Sequence, residues 1–166
     1  MPQEMPKRTL GRTGEAISIV GLGGIAIMRS GQNAANNFVA EAWDHGVTYF
    51  DVAPQYGEGL AEERMGPALK PYRSRAFLAC KSGKRDAKGC REELERSLRR
   101  LQTEYFDLYQ LHGIKDLQED VEPALASGGA LEVLLEAKEK GYARLIGFSA
   151  HSPEAALRAM ETGHFD

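Results

Sequence analysis

The sequence predicts an α/β protein in which a parallel sheet is covered by helices. Strand and helix signals alternate five times. The strands end near residues 23, 51, 81, 112 and 149, a period of roughly 28 to 37 residues, about one βα unit each. The strands are apolar on both faces, as parallel strands buried between layers are. Three of them also close on an ionisable residue: Asp51, Lys81 and His112. An open doubly wound sheet and a closed barrel both fit this pattern.

The elements follow in order. The stretch from Arg8 to Ser18 reads as a hairpin, two short β-prone pieces around a turn rich in Gly and Thr. The first strand is Ile19 to Gly23. A helix covers Ala34 to His45 and stops at Gly46. Val47 to Asp51 forms the second strand, Leu60 to Leu69 a short helix, and Ala76 to Lys81 the third strand. The clearest helix is Lys88 to Leu101, with Leu94, Leu98 and Leu101 on one face and expected i,i+4 pairs Glu92/Arg96 and Glu95/Arg99 on the others. Tyr105 to His112 is the fourth strand, followed by a helix from Gly129 to Lys140 that stops at Gly141. Arg144 to Ser149 is the fifth strand. A last helix starts after Ser152 and Pro153, a good N-cap and N1 pair, and ends near Gly163. No linker or low-complexity segment interrupts residues 1–166, so a single domain is expected.

Composition narrows the function classes. The 166 residues are 42% hydrophobic and 27% charged, as in ordinary globular domains. A net charge of −3 gives no bulk electrostatic attraction to nucleic acid or anionic membrane. No apolar run approaches the roughly 18 residues of a membrane span. The N-terminus, Met1 to Arg8, has no apolar stretch behind its charges and does not read as a secretory signal. Cys80 and Cys90 lack metal-ligand spacing and are expected as reduced thiols. The expectation is a cytoplasmic protein with no metal, nucleic-acid or membrane partner.

In parallel β/α folds, ligands meet the C-terminal ends of the strands. A strand-end Asp often caps a helix and a strand-end Lys is often only solvated. Three ionisable ends on successive strands, brought to one face by right-handed crossovers, point to chemistry instead. Tyr56 lies five residues after Asp51, in the loop from Val52 to Gly59. Alone it reads as a packing residue; beside the other three it becomes a candidate acid. Hydride reduction of a carbonyl needs a proton donor at oxygen. A phenol, with a pKa of about 10, is a weak donor, and a neighbouring ammonium favours its ionised form. An Asp holds that ammonium, and a neutral His can donate a hydrogen bond to the substrate oxygen.

At these residues the chain resembles the aldo-keto reductase family, from Arg8 to Asp166. The resemblance rests on the hairpin residues Thr9-Leu10-Gly11-Arg12-Thr13-Gly14 and on Gly21-Leu22-Gly23-Gly24. It continues in Gly46-Val47-Thr48-Tyr49-Phe50-Asp51-Val52-Ala53-Pro54-Gln55-Tyr56-Gly57 with Glu62 and Gly66, and in Ser97 to Leu101 with Tyr105 to His112. It implies a TIM-type (β/α)8 barrel with the hairpin at its N-terminal end, NADP(H) as cofactor, and aldehydes or ketones as substrates. By the same resemblance Tyr56 is the acid, Asp51 and Lys81 tune it, and His112 orients the substrate. Ser149, Gly23 and Asp51 are the implied cofactor-side residues.

Two departures stand out. Ser149 matches the family's fifth-strand motif, but Ala150 follows where the family often has Asn, and the role of the next residue, His151, is open. A barrel of this type takes about 250 residues, so only its first five βα units are expected here, ending before a sixth strand. The first and fifth strands would then be open edges that invite self-association. The non-enzyme alternative is therefore a half-barrel acting as a folding or interaction module.

Three other chemistries fit the residues less well. Gly21-Leu22-Gly23-Gly24-Ile25-Ala26 matches a dinucleotide G-x-G-x-x-A pattern. That motif needs a helix starting at its glycines, and the helix signal begins only near Asn33. A Schiff-base aldolase would use Lys81 as nucleophile, which a neighbouring Asp51 disfavours. Metal hydrolysis lacks a second His at ligand spacing from His112.

Overall fold

The protein is described here from a computed structural model, which covers residues 5–166. The N-terminal stretch considered above as a secretory signal lies partly outside these residues. A two-stranded antiparallel hairpin, β1 (Lys7–Thr9) and β2 (Ala16–Ser18), precedes a parallel sheet of β3 (Gly21–Gly23), β4 (Tyr49–Asp51), β5 (Phe77–Ser82), β6 (Phe106–Ile114) and β7 (Ala143–Ala150). The helices between them are α1 (Gln32–Asp44), α2 (Leu60–Leu69), α3 (Ala87–Leu101), α4 (Glu122–Leu125), α5 (Ala130–Glu139) and α6 (Pro153–Glu161).

The five parallel strands lie in chain order, each beside its predecessor. A doubly wound sheet reverses direction at a switch point, and this sheet has none, so the open doubly wound alternative is excluded. The dinucleotide reading falls with it. A single 3-10 turn, Gly24–Ala26, follows β3, and α1 begins only at Gln32.

One face of the sheet is the apolar core. Phe50, Val52, Leu78, Cys80, Tyr109, Leu111 and Ile146 are buried against Val39, Met65, Leu94 and Leu134 of the helices. Because side chains alternate along a strand, Asp51, Lys81, Gln110 and Ser149 belong to the opposite face. Cys80 and Cys90 are free and buried. Burial pushes the Cys90 thiol up to about 11 and raises that of Cys80 further, which makes both poor nucleophiles.

Several boundaries differ from expectation for local reasons. The first strand starts at Gly21 rather than Ile19, because Ser18 Oγ donates to Val20 O (2.7 Å) and accepts from Thr48 N (2.9 Å), bending the chain. The second strand loses Val47, whose N–H donates to Ala42 O while Gly46 N–H donates to Trp43 O. That is the two-bond closure of a helix end around a left-handed glycine, here Gly46 at φ 84°. Between β6 and α5, where no element was assigned above, the chain is also structured. A π turn, Leu117–Val121, runs into α4, started by Asp116, whose carboxylate accepts from the N–H groups of Gln118 and Glu119 (2.8 Å each).

The two expected i,i+4 pairs on α3 are absent among the described residues. Arg96 pairs with Glu93 at i,i+3 (3.6 Å), and Arg91 reaches Glu136 of α5 at 2.5 Å. Exposed i,i+4 pairs contribute only about 0.3–0.5 kcal/mol, so the buried Glu93 carboxylate at i,i+3 competes readily for Arg96. No described helix is long and apolar enough to cross a membrane.

Candidate active site

The C-terminal rim of the sheet gathers the four residues singled out from the sequence. Asp51 closes β4, and Lys81 stands one residue before the end of β5. The Lys81 ammonium forms an ion pair with Asp51 Oδ1, with side chains 6% and 23% exposed respectively. It also donates to Val52 O (3.4 Å) and lies 3.5 Å from the Tyr56 hydroxyl. An ammonium so placed meets both a carboxylate and a phenol from one buried position.

Tyr56 is delivered by the loop after β4. The chain turns sharply there, with Gly57, Glu58 and Gly59 all at positive φ, before α2 begins. A non-glycine residue at φ 56°, as Glu58 is, carries local strain. The turn points Tyr56 back over the rim, where its ring meets that of His112 edge-on at a centroid distance of 5.6 Å.

His112 lies two residues before the end of β6, which runs on to Ile114. Burial, together with the nearby Lys81 ammonium, holds its imidazole below the usual value. At neutral pH the ring is therefore uncharged. Its Nδ1 is 2.8 Å from Gln55 Oε1, and Gln55 Nε2 donates to Glu93 Oε1 at 3.2 Å.

Sequence reasoning missed three members of this rim. Gln55 and Glu93 form the support just described. Glu93 sits on the buried stripe of α3, in step with Cys90, Leu94, Ser97 and Leu101. A carboxylate at that helical phase was the available signal. The third is Tyr49, two residues before Asp51 on the same face, whose hydroxyl donates to Asp51 Oδ2 at 3.2 Å. Burial, then the Asp51 charge, raises the Tyr49 phenol well above its ordinary value, so it remains a donor.

Ser149, on β7, accepts a hydrogen bond from Gly113 N at 2.8 Å. Its hydroxyl proton is left free to donate. Gly23 pairs in register with Asp51. A Cβ there would meet only Ile25 at 3.7 Å, whereas one at Gly24 would press Val52 at 2.9 Å and one at Gly21 would strike Tyr49 at 2.5 Å. Close packing thus explains Gly21 and Gly24, and leaves Gly23 open to the rim. His151 is exposed, with its backbone N–H on Ile114 O, and Ser152 is the residue that caps α6. Lys81 Nζ is taken up by its ion pair with Asp51, which counts against a Schiff-base nucleophile.

Parallel strands in chain order thus carry an ion-paired lysine beside a tyrosine hydroxyl at their C-terminal ends. The chain belongs to the aldo/keto reductase family, whose family model matches residues 19–166. It is 37% identical over 167 aligned residues to the aldo-keto reductase YhdN of Bacillus subtilis, a match covering 90% of this chain and 48% of YhdN. The fold is similar to that of the holo form of aldo-keto reductase AKR11C1 from Bacillus halodurans, with a TM-score of 0.84 at 30% identity, covering 95% of this chain and 54% of that one. It is also similar to an aldo-keto reductase from Klebsiella pneumoniae solved in complex with NADPH, with a TM-score of 0.73 at 30% identity, covering 90% and 51%. The chain spans about half the length of the relatives it matches.

Proposed function

We propose that this chain forms the proton-donating side of an NADP(H)-dependent carbonyl reductase, on the first five βα units of a (β/α)8 barrel. The observation that carries the reading is the Lys81 ammonium, which contacts the Asp51 carboxylate and the Tyr56 hydroxyl together. Tyr56 gives its phenolic proton to the carbonyl oxygen of an aldehyde or ketone. As that proton leaves, negative charge grows on the phenolic oxygen, and Lys81 at 3.5 Å stabilises it. Asp51, backed by Tyr49, holds the ammonium and aims it. His112 borders the same space and orients the substrate oxygen.

The residues present fit the nicotinamide end of the cofactor. Ser149 has a free hydroxyl proton for a carboxamide oxygen, and Gly23 leaves open space beside Asp51. When bound, the reduced cofactor supplies the hydride equivalent that the carbonyl carbon requires. The NADPH complex of the Klebsiella pneumoniae relative supports the choice of NADP(H).

The test is consumption of NADPH with a generic aldehyde such as 4-nitrobenzaldehyde, by this chain and by any longer form that contains it. Turnover by either that Lys81→Met removes supports the reading; turnover at the parent rate in Lys81→Met overturns it.

A second reading is favoured by the sheet edges. Among the described residues, the outer edges of β3 and β7 have no partner strand, and a cavity of about 480 Å³ opens between the hairpin and β6–β7, lined by Leu108, Leu145, Phe148 and Phe165. In this reading the chain is a barrel portion that self-associates through those edges and has no activity alone. Fluorescence titration separates the two: absence of NADPH binding by this chain, with binding by a longer form, selects the second.

A further inference from the structure

The support beneath His112 fixes more than its position. Glu93, 5% exposed, accepts through Oε2 from Ser82 Oγ (2.7 Å) and Gly83 N (2.8 Å). Its Oε1 faces Gln55, with Arg96 at 3.6 Å behind. Both Glu93 oxygens are placed as acceptors, so the Gln55 group turned towards Oε1 is the NH2, at 3.2 Å. The carboxamide oxygen of Gln55 is therefore the atom at 2.8 Å from His112 Nδ1. A carboxamide oxygen also only accepts, so Nδ1 must carry a proton. Two acceptor-only groups in series thus dictate the tautomer of a third residue, across the middle of α3, the loop after β4 and the end of β6.

We propose that Gln55, held by Glu93, is a positioning residue that locks neutral His112 as the Nδ1–H tautomer and leaves Nε2 a hydrogen-bond acceptor. The inference rests on the reading of the rim as a carbonyl/alcohol site and changes one role in it. A neutral His112 with bare Nε2 accepts from the hydroxyl of an alcohol and gives nothing to a carbonyl oxygen. The resting site is then complementary to the alcohol, and the proton to a carbonyl comes from Tyr56 alone. The neutral-donor role expected for His112 from the sequence would need the opposite tautomer.

The lock has a specific key. In Glu93→Gln the new carboxamide keeps its oxygen towards Ser82 and Gly83 and turns its NH2 to Gln55. Gln55 must then present its oxygen to residue 93 and its NH2 to His112. Nδ1 becomes the acceptor and Nε2 takes the proton. Gln55→Leu removes the constraint and lets His112 return to the Nε2–H form that free histidine prefers.

The experiment is 15N-histidine NMR of the protein at pH 8, with the His112 ring signals assigned by their loss in His112→Gln. Expected are a pyrrole-type Nδ1 and pyridine-type Nε2 in the parent, exchanged in Glu93→Gln and shifted the same way in Gln55→Leu. An Nε2–H parent, or a parent tautomer unchanged in both variants, overturns the proposal. The measurement involves no turnover, so its failure is distinguishable from failure of the carbonyl-reductase reading, which the aldehyde assay tests separately.

Discussion

Lys81 and Asp51 stand at the ends of neighbouring parallel strands and form an ion pair in which the lysine side chain is 6% exposed and the aspartate 23%. The lysine is the more deeply buried partner, so it depends more on the pair. Removing one member of a fully buried pair costs about 3–5 kcal/mol. With Asp51 partly exposed and Val52 O at 3.4 Å still available, Asp51→Asn is expected to cost roughly 2 kcal/mol by the same principle. Urea denaturation of the two proteins checks this.

Lys81→Met behaves differently. The methionine fills most of the same space without a buried charge, and Asp51 keeps the Tyr49 hydroxyl at 3.2 Å. Stability is expected to fall less than in Asp51→Asn, while carbonyl reduction falls by about 10²–10³-fold, the usual effect of removing one preorganised electrostatic group. Thermal melting beside initial rates separates the two effects.

Asp107 offers the converse case, stability without chemistry. It lies at the N-terminal end of β6, 3% exposed, accepting from Arg73 Nη1 (2.9 Å), Leu78 N (2.9 Å) and Arg144 Nη1 (2.7 Å). Asp107→Asn cannot accept from all three and leaves Arg73 without a counter-charge, while Arg144 keeps Glu15. A loss of about 3 kcal/mol is expected, with NADPH affinity unchanged in the folded fraction. Denaturation and fluorescence titration on the same sample check it.

Gly66 sets helix propensity against packing. Alanine in the interior of α2 would gain about 1 kcal/mol of propensity. Its Cβ, however, would lie 2.7 Å from Arg100 O and 2.8 Å from Leu101 Cα, backbone atoms of α3 that cannot swing aside. Overpacking of this kind costs about 1–3 kcal/mol or more, so Gly66→Ala is expected to destabilise, read as a lower melting temperature.

Asp120 predicts an acid-sensitive contribution. Burial alone would raise its carboxyl, but the N–H groups of Lys115 and Asp116 and the Arg85 guanidinium together hold it below the usual 3.8. A carboxyl depressed in the folded state contributes stability above its unfolded value, and that contribution disappears as pH falls through the folded value. Asp120→Asn should therefore be less stable than the parent at pH 7 and approach it as pH falls through the depressed folded value. Melting curves between pH 2 and 7 show whether the gap closes.

Much of this was legible in the sequence, for physical reasons that can be named. The span of α2 matches its expected limits, Leu60–Leu69, and Ser152 caps α6 as its residue type suggests. Asp51, Lys81 and His112 stood out because ionisable groups closing apolar strands have few structural reasons to be there. Gln55 and Glu93 did not, because their meaning is tertiary: they meet across 38 residues, and an uncharged amide in a loop has no pattern of its own. The π turn after β6 was hidden in a short polar stretch without periodicity. The surface pairs expected on α3 failed because such pairs are weak, and Arg96 turns instead to the buried Glu93 of its own helix.

The central claim is that Tyr56 supplies the proton. The direct measurement is the rate of NADPH-dependent aldehyde reduction by Tyr56→Phe beside its parent, in a form of the protein that turns over, with NADPH affinity measured on both. A loss of at least about 10³-fold in rate, within the range for a lost general acid, with affinity nearly unchanged, is the predicted result. Reduction by Tyr56→Phe at the parent rate would contradict it.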